Sequence, residues 1–306
     1  MRHVTLFLTL YLTLLSAYAE PAFPVSALIS SNSKIYQQVL DAMVLHAQNQ
    51  QKPIKLSIHI IDQETTDNDT ALLAKIKAES PLALLSLGSA ATRFAVKNFS
   101  RTPICAALIV DDSLVKNVPN ATAIVLNFPV KLQLEWLKKI APHKNHLAVF
   151  YNPEKNQTEV QQLQRLAGQY AVTIHPYSVS STLDLVDTLK HLSQQIDVLW
   201  SFPDTSFLNP QSAKQLLLYS FRNRIPLIGV SEQWTKAGAL YALDRDYSDI
   251  GRQCNDKLQL LAQGVKAKNI AISIPEKVYY SINERTFEHM KIDLPASLKK
   301  GAFIVF

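Results

Sequence analysis

Residues 82–111 read LALLSLGSAATRFAVKNFSRTPICAALIVD. An apolar run ends at Gly88-Ser89, a helical stretch follows, and a second apolar run is entered through Pro103. This is one β-α-β unit with a loop of small residues at the mouth of its first strand. Such a loop brings free backbone N–H groups and a hydroxyl to a helix N-terminus, where an anionic or polar group is readily held.

The same alternation extends outward on both sides. Upstream, strands are expected at residues 25–29 and 54–61. The helix between them carries Ile35, Val39, Met43 and Ala47 on one face, and a second helix spans 70–78 beyond a polar loop at 62–69. Within the opening unit the strands are 82–87 and 104–110 and the helix 90–98. A short connecting strand follows at 124–127. A second series then begins, with helices at 130–140, 159–170, 183–192 and 213–223. They alternate with strands at 147–151, 172–176, 198–202 and 226–230. A strand at 238–243, a long helix at 248–262 and an extended segment at 270–280 complete the pattern. Apolar strands separated by amphipathic helices imply parallel sheets covered on both faces. The expected fold class is therefore α/β, with two doubly wound parallel-sheet lobes joined by a hinge. The expected division is 20–125 plus 244–269 for the first lobe and 126–243 plus 270–306 for the second. Crossings fall near 121–128, 240–246 and 269–273, and helix 248–262 returns to the first lobe beside the strand holding Cys105.

A chain of 306 residues, 47% hydrophobic and 18% charged, has material for two cores. The net charge of +6, from 31 basic and 25 acidic residues, is scattered rather than gathered into a stripe, which argues against nucleic-acid binding. Residues 1–19 read as a cleaved export signal: Arg2 and His3, an apolar stretch over 4–15 too short to span a bilayer, then Ala17-Tyr18-Ala19 before a mature start at Glu20. The expected location is the periplasm. No cysteine lies near the cleavage site to take a lipid. Cys105 and Cys254 both fall on apolar positions; they read as buried thiols, with a disulfide open in an oxidising compartment.

The sequence holds no G-x-S-x-G elbow, no P-loop and no G-x-G-x-x-G after a strand. Neither a cofactor nor a metal is implied; His143 and His146, three apart in a polar turn, read as surface residues. What remains is a set of polar residues at the carboxyl ends of strands, where open α/β sheets bind ligands. The candidates are Ser31, Asn32, Ser89, Thr92, Asp111, Asn152, Asp204, Ser231 and Asp246, with Ser30, Gly88, Thr205 and Asp244 beside them. Each also suits a helix cap or a turn. The Gly88–Thr92 loop is expected to hold an anionic ligand group, with Asp204 facing it from the other lobe to take an ammonium or hydroxyl.

The blocks LLSLGSAATRFAV (84–96), TPICAALIVD (102–111), LQLEWLKKIAP (132–142), HLAVFYNPEKN (146–156), IDVLWSFPDTSFL (196–208), IPLIGVSEQWTKAGALYALDRDYSDIGRQ (225–253) and SINERTFEHMKIDLP (281–295) follow one another at family-like spacing. In these the chain resembles bacterial ABC-transporter substrate-binding proteins of the type that includes tryptophan and other aromatic amino-acid binders. The resemblance implies the type I periplasmic-binding fold. It also implies a small polar ligand, an amino acid or related carboxylate, held between the lobes without turnover by a monomer that an inner-membrane permease recognises. It assigns Ser89 and Thr92 to the first lobe's ligand loop, Asp111 to the cleft, Asn152 and Asp204 to the second lobe, and Asp246 to the return crossing. The chain departs from the family pattern at Asp111-Asp112, where Asp-Pro is common, and at Asn120–Ala123, which lacks the usual glycine. Two other readings stand beside this one: the ligand-binding subunit of a periplasmic sensory system, and an exported enzyme using Asp204 and Asp246 as paired carboxylates.

Overall fold

The computed structural model describes residues 22–61, 69–204 and 206–306. The export signal with its cleavage before Glu20, the polar loop at 62–68, and Thr205 lie outside the described residues.

The first lobe opens with β1 (Phe23–Ile29), α1 (Lys34–Asn49), β2 (Ile54–Ile60), α2 (Thr70–Ala78), β3 (Ala83–Leu87), α3 (Ser89–Asn98), β4 (Ile104–Ile109) and β5 (Ala121–Val125). Its five strands run parallel in the order β2-β1-β3-β4-β5. Strands buried on both faces read as unbroken apolar runs, and β3 and β4 are buried along their whole length. Val25, Ala27 and Cys105 pack beneath α1 on one face, while Leu28, Leu84 and Ile104 pack with Ile76 of α2 and Phe94 of α3 on the other.

The second lobe continues with α4 (Val130–Ile140), β6 (His146–Tyr151), α5 (Pro153–Ala167), β7 (Thr173–Ser178), α6 (Thr182–Lys190), β8 (Val198–Ser201), α7 (Pro210–Asn223), β9 (Ile228–Gly229), α8 (Glu232–Ala237) and β10 (Tyr241–Arg245). The chain then forms α9 (Tyr247–Ala262), β11 (Val278–Ile282), α10 (Glu284–Met290), α11 (Ala296–Gly301) and β12 (Ile304–Val305). Two sheets result, β7-β6-β8 and β12-β11-β10-β9, bridged by a parallel contact between Leu199 and Leu227. Helices α4 and α5 cover one face and α6 and α7 the other. Among the described residues β10 and β11 form the one antiparallel pair, so the second lobe is mixed rather than purely parallel.

Helix α9 leaves the second lobe and packs on α1 and the first sheet, with Ile250, Cys254, Leu258 and Leu261 in the cluster that holds Cys105. Both thiols are free and buried. The chain stays with the first lobe as far as Ser273, which bridges Ile124.

Several boundaries differ from the sequence reading. Helix α5 begins at Pro153, six residues before the expected 159, because Asn152 accepts from Glu154 N and proline suits the first helical position. Its first turns are polar and carry no apolar stripe to announce them. The strand expected at 238–243 starts at Tyr241, since α8 occupies 232–237 and ends on Gly238 at φ +122°. The expected 270–280 strand shrinks to the Ser273 bridge and β11. No helix among the described residues is long and apolar enough to cross a membrane.

Candidate functional site

A cavity of about 520 Å³ opens between the carboxyl ends of the two strand systems. Val110 and Asp111, just after β4, form its first-lobe wall; Leu126 and Asn127 come from the crossing after β5. Lys155, Asn156 and Glu159 present the first two turns of α5, Phe202 and Pro203 follow β8, Val230 follows β9, and Arg245 ends β10. A recess of about 30 Å³ behind it shares Asn127, Pro203, Val230 and Arg245, and is floored by Phe128, Trp200, Ile228 and Leu243.

Arg245 is the anchor of this cavity, and nothing in the sequence reading singled it out. Its Nε donates to Leu126 O at 2.7 Å, and its guanidinium carbon stands 4.5 Å over the Phe128 ring. Both partners belong to the other crossing, so one side chain ties two of the interlobe strands together. Burial pulls its pKa below the ordinary value, against the opposing pull of Tyr247 and Asp244. It makes no salt bridge among the described residues, and its two terminal nitrogens suit bidentate pairing with a carboxylate.

Asp204 follows the wall residue Pro203 and binds the wall residue Lys155 without itself lining the cavity; its side chain is 1% exposed. Its Oδ1 accepts from Lys155 Nζ at 2.8 Å and from Ser206 N at 2.8 Å. Burial pushes the pKa up; the Lys155 hydrogen bond, the Ser206 amide and hydroxyl, and the Lys155 charge together outweigh it, so the carboxyl is held below its usual range. Three buried side-chain oxygens lack a hydrogen-bond partner among the described residues: Asp204 Oδ2, Asn156 Oδ1 and Glu159 Oε2. Asn156 and Glu159 line the cavity, and Asp204 stands next in the chain to its wall residue Pro203.

The other expected residues divide. Asp111 lines the cavity, exposed, its Oδ1 accepting from Ser113 N at 2.9 Å. Ser89 is half-buried at the start of α3 and Ser231 caps α8 with no side-chain bond; both stand at strand ends but outside the cavity wall. Thr92 is fully buried away from the cavity wall, donates to Gly88 O at 2.9 Å and bonds Ser86 Oγ, so its hydroxyl serves the packing of α3. Asn152 caps α5 and donates to Ser206 Oγ, which makes it a support for the Asp204 loop rather than part of the wall. Asp246 is likewise a cap: Oδ1 accepts from Ser248 N and Asp249 N, and Oδ2 accepts from Tyr279 Oη at 2.8 Å. Asp204 and Asp246 are thus bound to separate partners and do not pair with each other. Ser31 and Asn32 build the turn before α1, accepting from Ser33 N and the Gln37 amide. The Gly88 loop is partly satisfied from within, since Ala91 N donates to Ser30 Oγ at 2.8 Å.

The sequence model of the ABC transporter substrate binding protein family matches residues 25–306. The chain belongs to that family. No curated protein matches it in sequence. Its fold is shared with a ligand-free, open substrate binding protein with adhesive properties from Clostridium difficile, at TM-score 0.76 and 16% identity over 93% of this chain and 99% of that one. An ABC domain from Streptococcus pneumonia in complex with L-Trp aligns at TM-score 0.63 and 16% identity, over 93% and 100% of the two chains. A periplasmic ribose ABC transporter from Conexibacter woesei aligns at 0.58 and 12% identity, over 92% and 98%. The architecture of this substrate-binding family member is therefore the type I periplasmic-binding fold, and its cleft lies at the carboxyl ends of the strands, where that fold class binds ligands.

Proposed function

We propose that the protein is a periplasmic solute receptor of an ABC-type uptake system, exported by residues 1–19 and working as a monomer without turnover. Its ligand is a small polar solute, an amino acid or related carboxylate, held between the first-lobe sheet with its returning helix α9 and the second-lobe sheets. The observation that carries this reading is Arg245: a guanidinium held at the cavity by a backbone carbonyl and an aromatic face, with no counter-ion bonded to it among the described residues. A ligand carboxylate completes that pair. Asp111 contributes from the first lobe and Asp204, with Lys155, from the second. Ser89 and Ser231 join as the hinge closes, the amides at the start of α3 favouring a second polar group. Closure follows only if the closed form binds more tightly than the open one, and a permease of the same uptake system then recognises it.

The test begins with protein purified from the periplasm and gently denatured, with released small molecules identified by mass spectrometry. The recovered solute should rebind the refolded protein in calorimetry. Arg245→Gln should weaken it by about 1.5–3 kcal/mol, roughly ten- to a hundredfold. Recovery of no solute, or unchanged affinity in a folded Arg245→Gln protein, defeats the reading.

A further inference from the structure

The ionised groups around the cavity do not balance one another. Asp111, Glu159, Lys155 and Arg245 line it. Lys155 is already committed to Asp204 at 2.8 Å. The remaining three charges stand on three different walls: Asp111 on the first lobe, Glu159 on α5, and Arg245 on the crossing. None of the three makes a salt bridge among the described residues. One cation therefore faces two carboxylates.

The α5 wall adds an independent observation. Glu159 Oε2 and Asn156 Oδ1, about one turn apart on the helix, are buried without a hydrogen-bond donor. Buried acceptors without donors are costly and rare in folded proteins, more so when the acceptor is a carboxylate. This wall is incomplete until something rich in N–H groups is placed against it. An ammonium supplies three donors and a guanidinium five.

Resting on the reading of the cleft as the solute site, we propose that the ligand is a net-cationic amino acid bearing one carboxylate and two cationic groups. The carboxylate pairs with Arg245, one cationic group with Glu159 and Asn156, and the other with Asp111 as the first lobe closes. The competing classes each leave a charge enclosed without a partner. A neutral amino acid leaves one carboxylate, a diamine leaves Arg245, a dicarboxylate sets like charge against like, and a sugar leaves all three. Removing one partner of an enclosed pair is the costly case, so closure itself discriminates.

Calorimetry with L-lysine, L-arginine, L-norleucine, L-tryptophan, L-glutamate and cadaverine tests this on the purified full chain. Norleucine is lysine without the terminal ammonium, and cadaverine is lysine without the carboxylate. Lysine or arginine should bind at least about tenfold more tightly than the other four, with affinity falling as salt rises. Asp111 is exposed, so Asp111→Asn should keep the fold and bring lysine toward the affinity of norleucine; Glu159→Gln should do the same. Norleucine or tryptophan binding as tightly as the cationic amino acids overturns the proposal, as does silence from both lysine and arginine. The two readings separate through the solute recovered from the periplasm. A neutral or acidic solute that needs Arg245 retains the solute receptor and removes the cationic class; no recovered solute and no binding in the panel remove both.

Discussion

Single residues of one chemical type divide at this cleft into caps and cleft groups. Asp111 and Asp204 both follow strands, and the rule that ligands lie at carboxyl ends of strands picked them out; Asp111 lines the cavity and Asp204 holds its wall residue Lys155. Asp246, Asn152 and Thr92 satisfy the same rule and yet cap or brace helices; the residue types that cap are those that bind, and their partners are not visible in sequence. Arg245 escaped notice because the atom that fixes it, Leu126 O, lies 119 residues away. Asp204 carries a prediction about acid. Its folded pKa is held below the ordinary value, so its stabilisation is complete above about pH 4 and is lost as pH falls through the folded pKa. Lys155→Met removes the principal opposing charge and raises that folded pKa, so it shrinks the stabilisation present at neutral pH and the part of it that acid removes. Thermal midpoints of the two proteins measured from pH 3 to 7 should differ most near neutral pH and converge at the acidic end, where Asp204 is protonated in both; parallel curves would refute the role given to Lys155. Gly88 gives a second. At φ +87°, a Cβ there would stand 2.5 Å from Tyr36 Oη and 2.7 Å from Ser30 Oγ. Gly88→Ala should cost about 1–3 kcal/mol in urea unfolding and free Ala91 N from its cap.

Elements were legible where an apolar stripe marks them. The stripe Ile250, Cys254, Leu258 and Leu261 predicted α9 and its inward face, and all four are buried. Helix α5 was recognised only from its apolar second half, because Pro153–Gln157 carries no such stripe and its start is set by a cap. The tail elements α10, α11 and β12 are short, and a two-residue strand such as β12 has no periodicity to read. The fit of α9 against α1 rests on a residue that helix propensity alone would disfavour. A Cβ at Gly251 would lie 2.4 Å from Val39 O and 2.8 Å from Ala42 Cβ, so glycine permits the two backbones to meet. On an open helix face, glycine to alanine gains about 1 kcal/mol. Here the sign should invert: Gly251→Ala should lose about 1–3 kcal/mol in denaturant midpoint, the range of an overpacked core. A stabilised variant would mean that α1 and α9 separate freely.

Each lobe has its own pair of core clusters, one on either side of its strands, which is the ground for proposing that the two lobes move as separate bodies. What joins them is few strands of chain and the side chains that hold those strands. The return of α9 to the first lobe was legible from its apolar face; the buried polar edge of the same helix was not. Successive turns of that edge grip the crossing that runs from the first lobe into β11. Lys257 Nζ donates to Ala271 O, Ser273 Oγ donates to Gln253 Oε1 at 3.0 Å, and Asp249 Oδ2 accepts from Glu276 N at 2.9 Å and Lys277 N at 3.2 Å. Asp249 is the centre of this strap: its side chain is 0% exposed, and Arg252 and Gln253 donate to it as well. Burial raises its pKa, and the bonds from Gln253, Arg252 and Lys277 more than reverse that, so it stays ionised. If the two lobes close on a ligand, a strap of this kind fixes the first-lobe end of the crossing and places the bend where the chain enters β11. Asp249→Ala should cost about 3–5 kcal/mol, since it leaves two backbone amides and an arginine without their acceptor. Hydrogen exchange should then quicken over residues 274–278 before it changes in β1 or β6. Uniform acceleration across both sheets would show instead that Asp249 supports the global fold and that the hinge lies elsewhere.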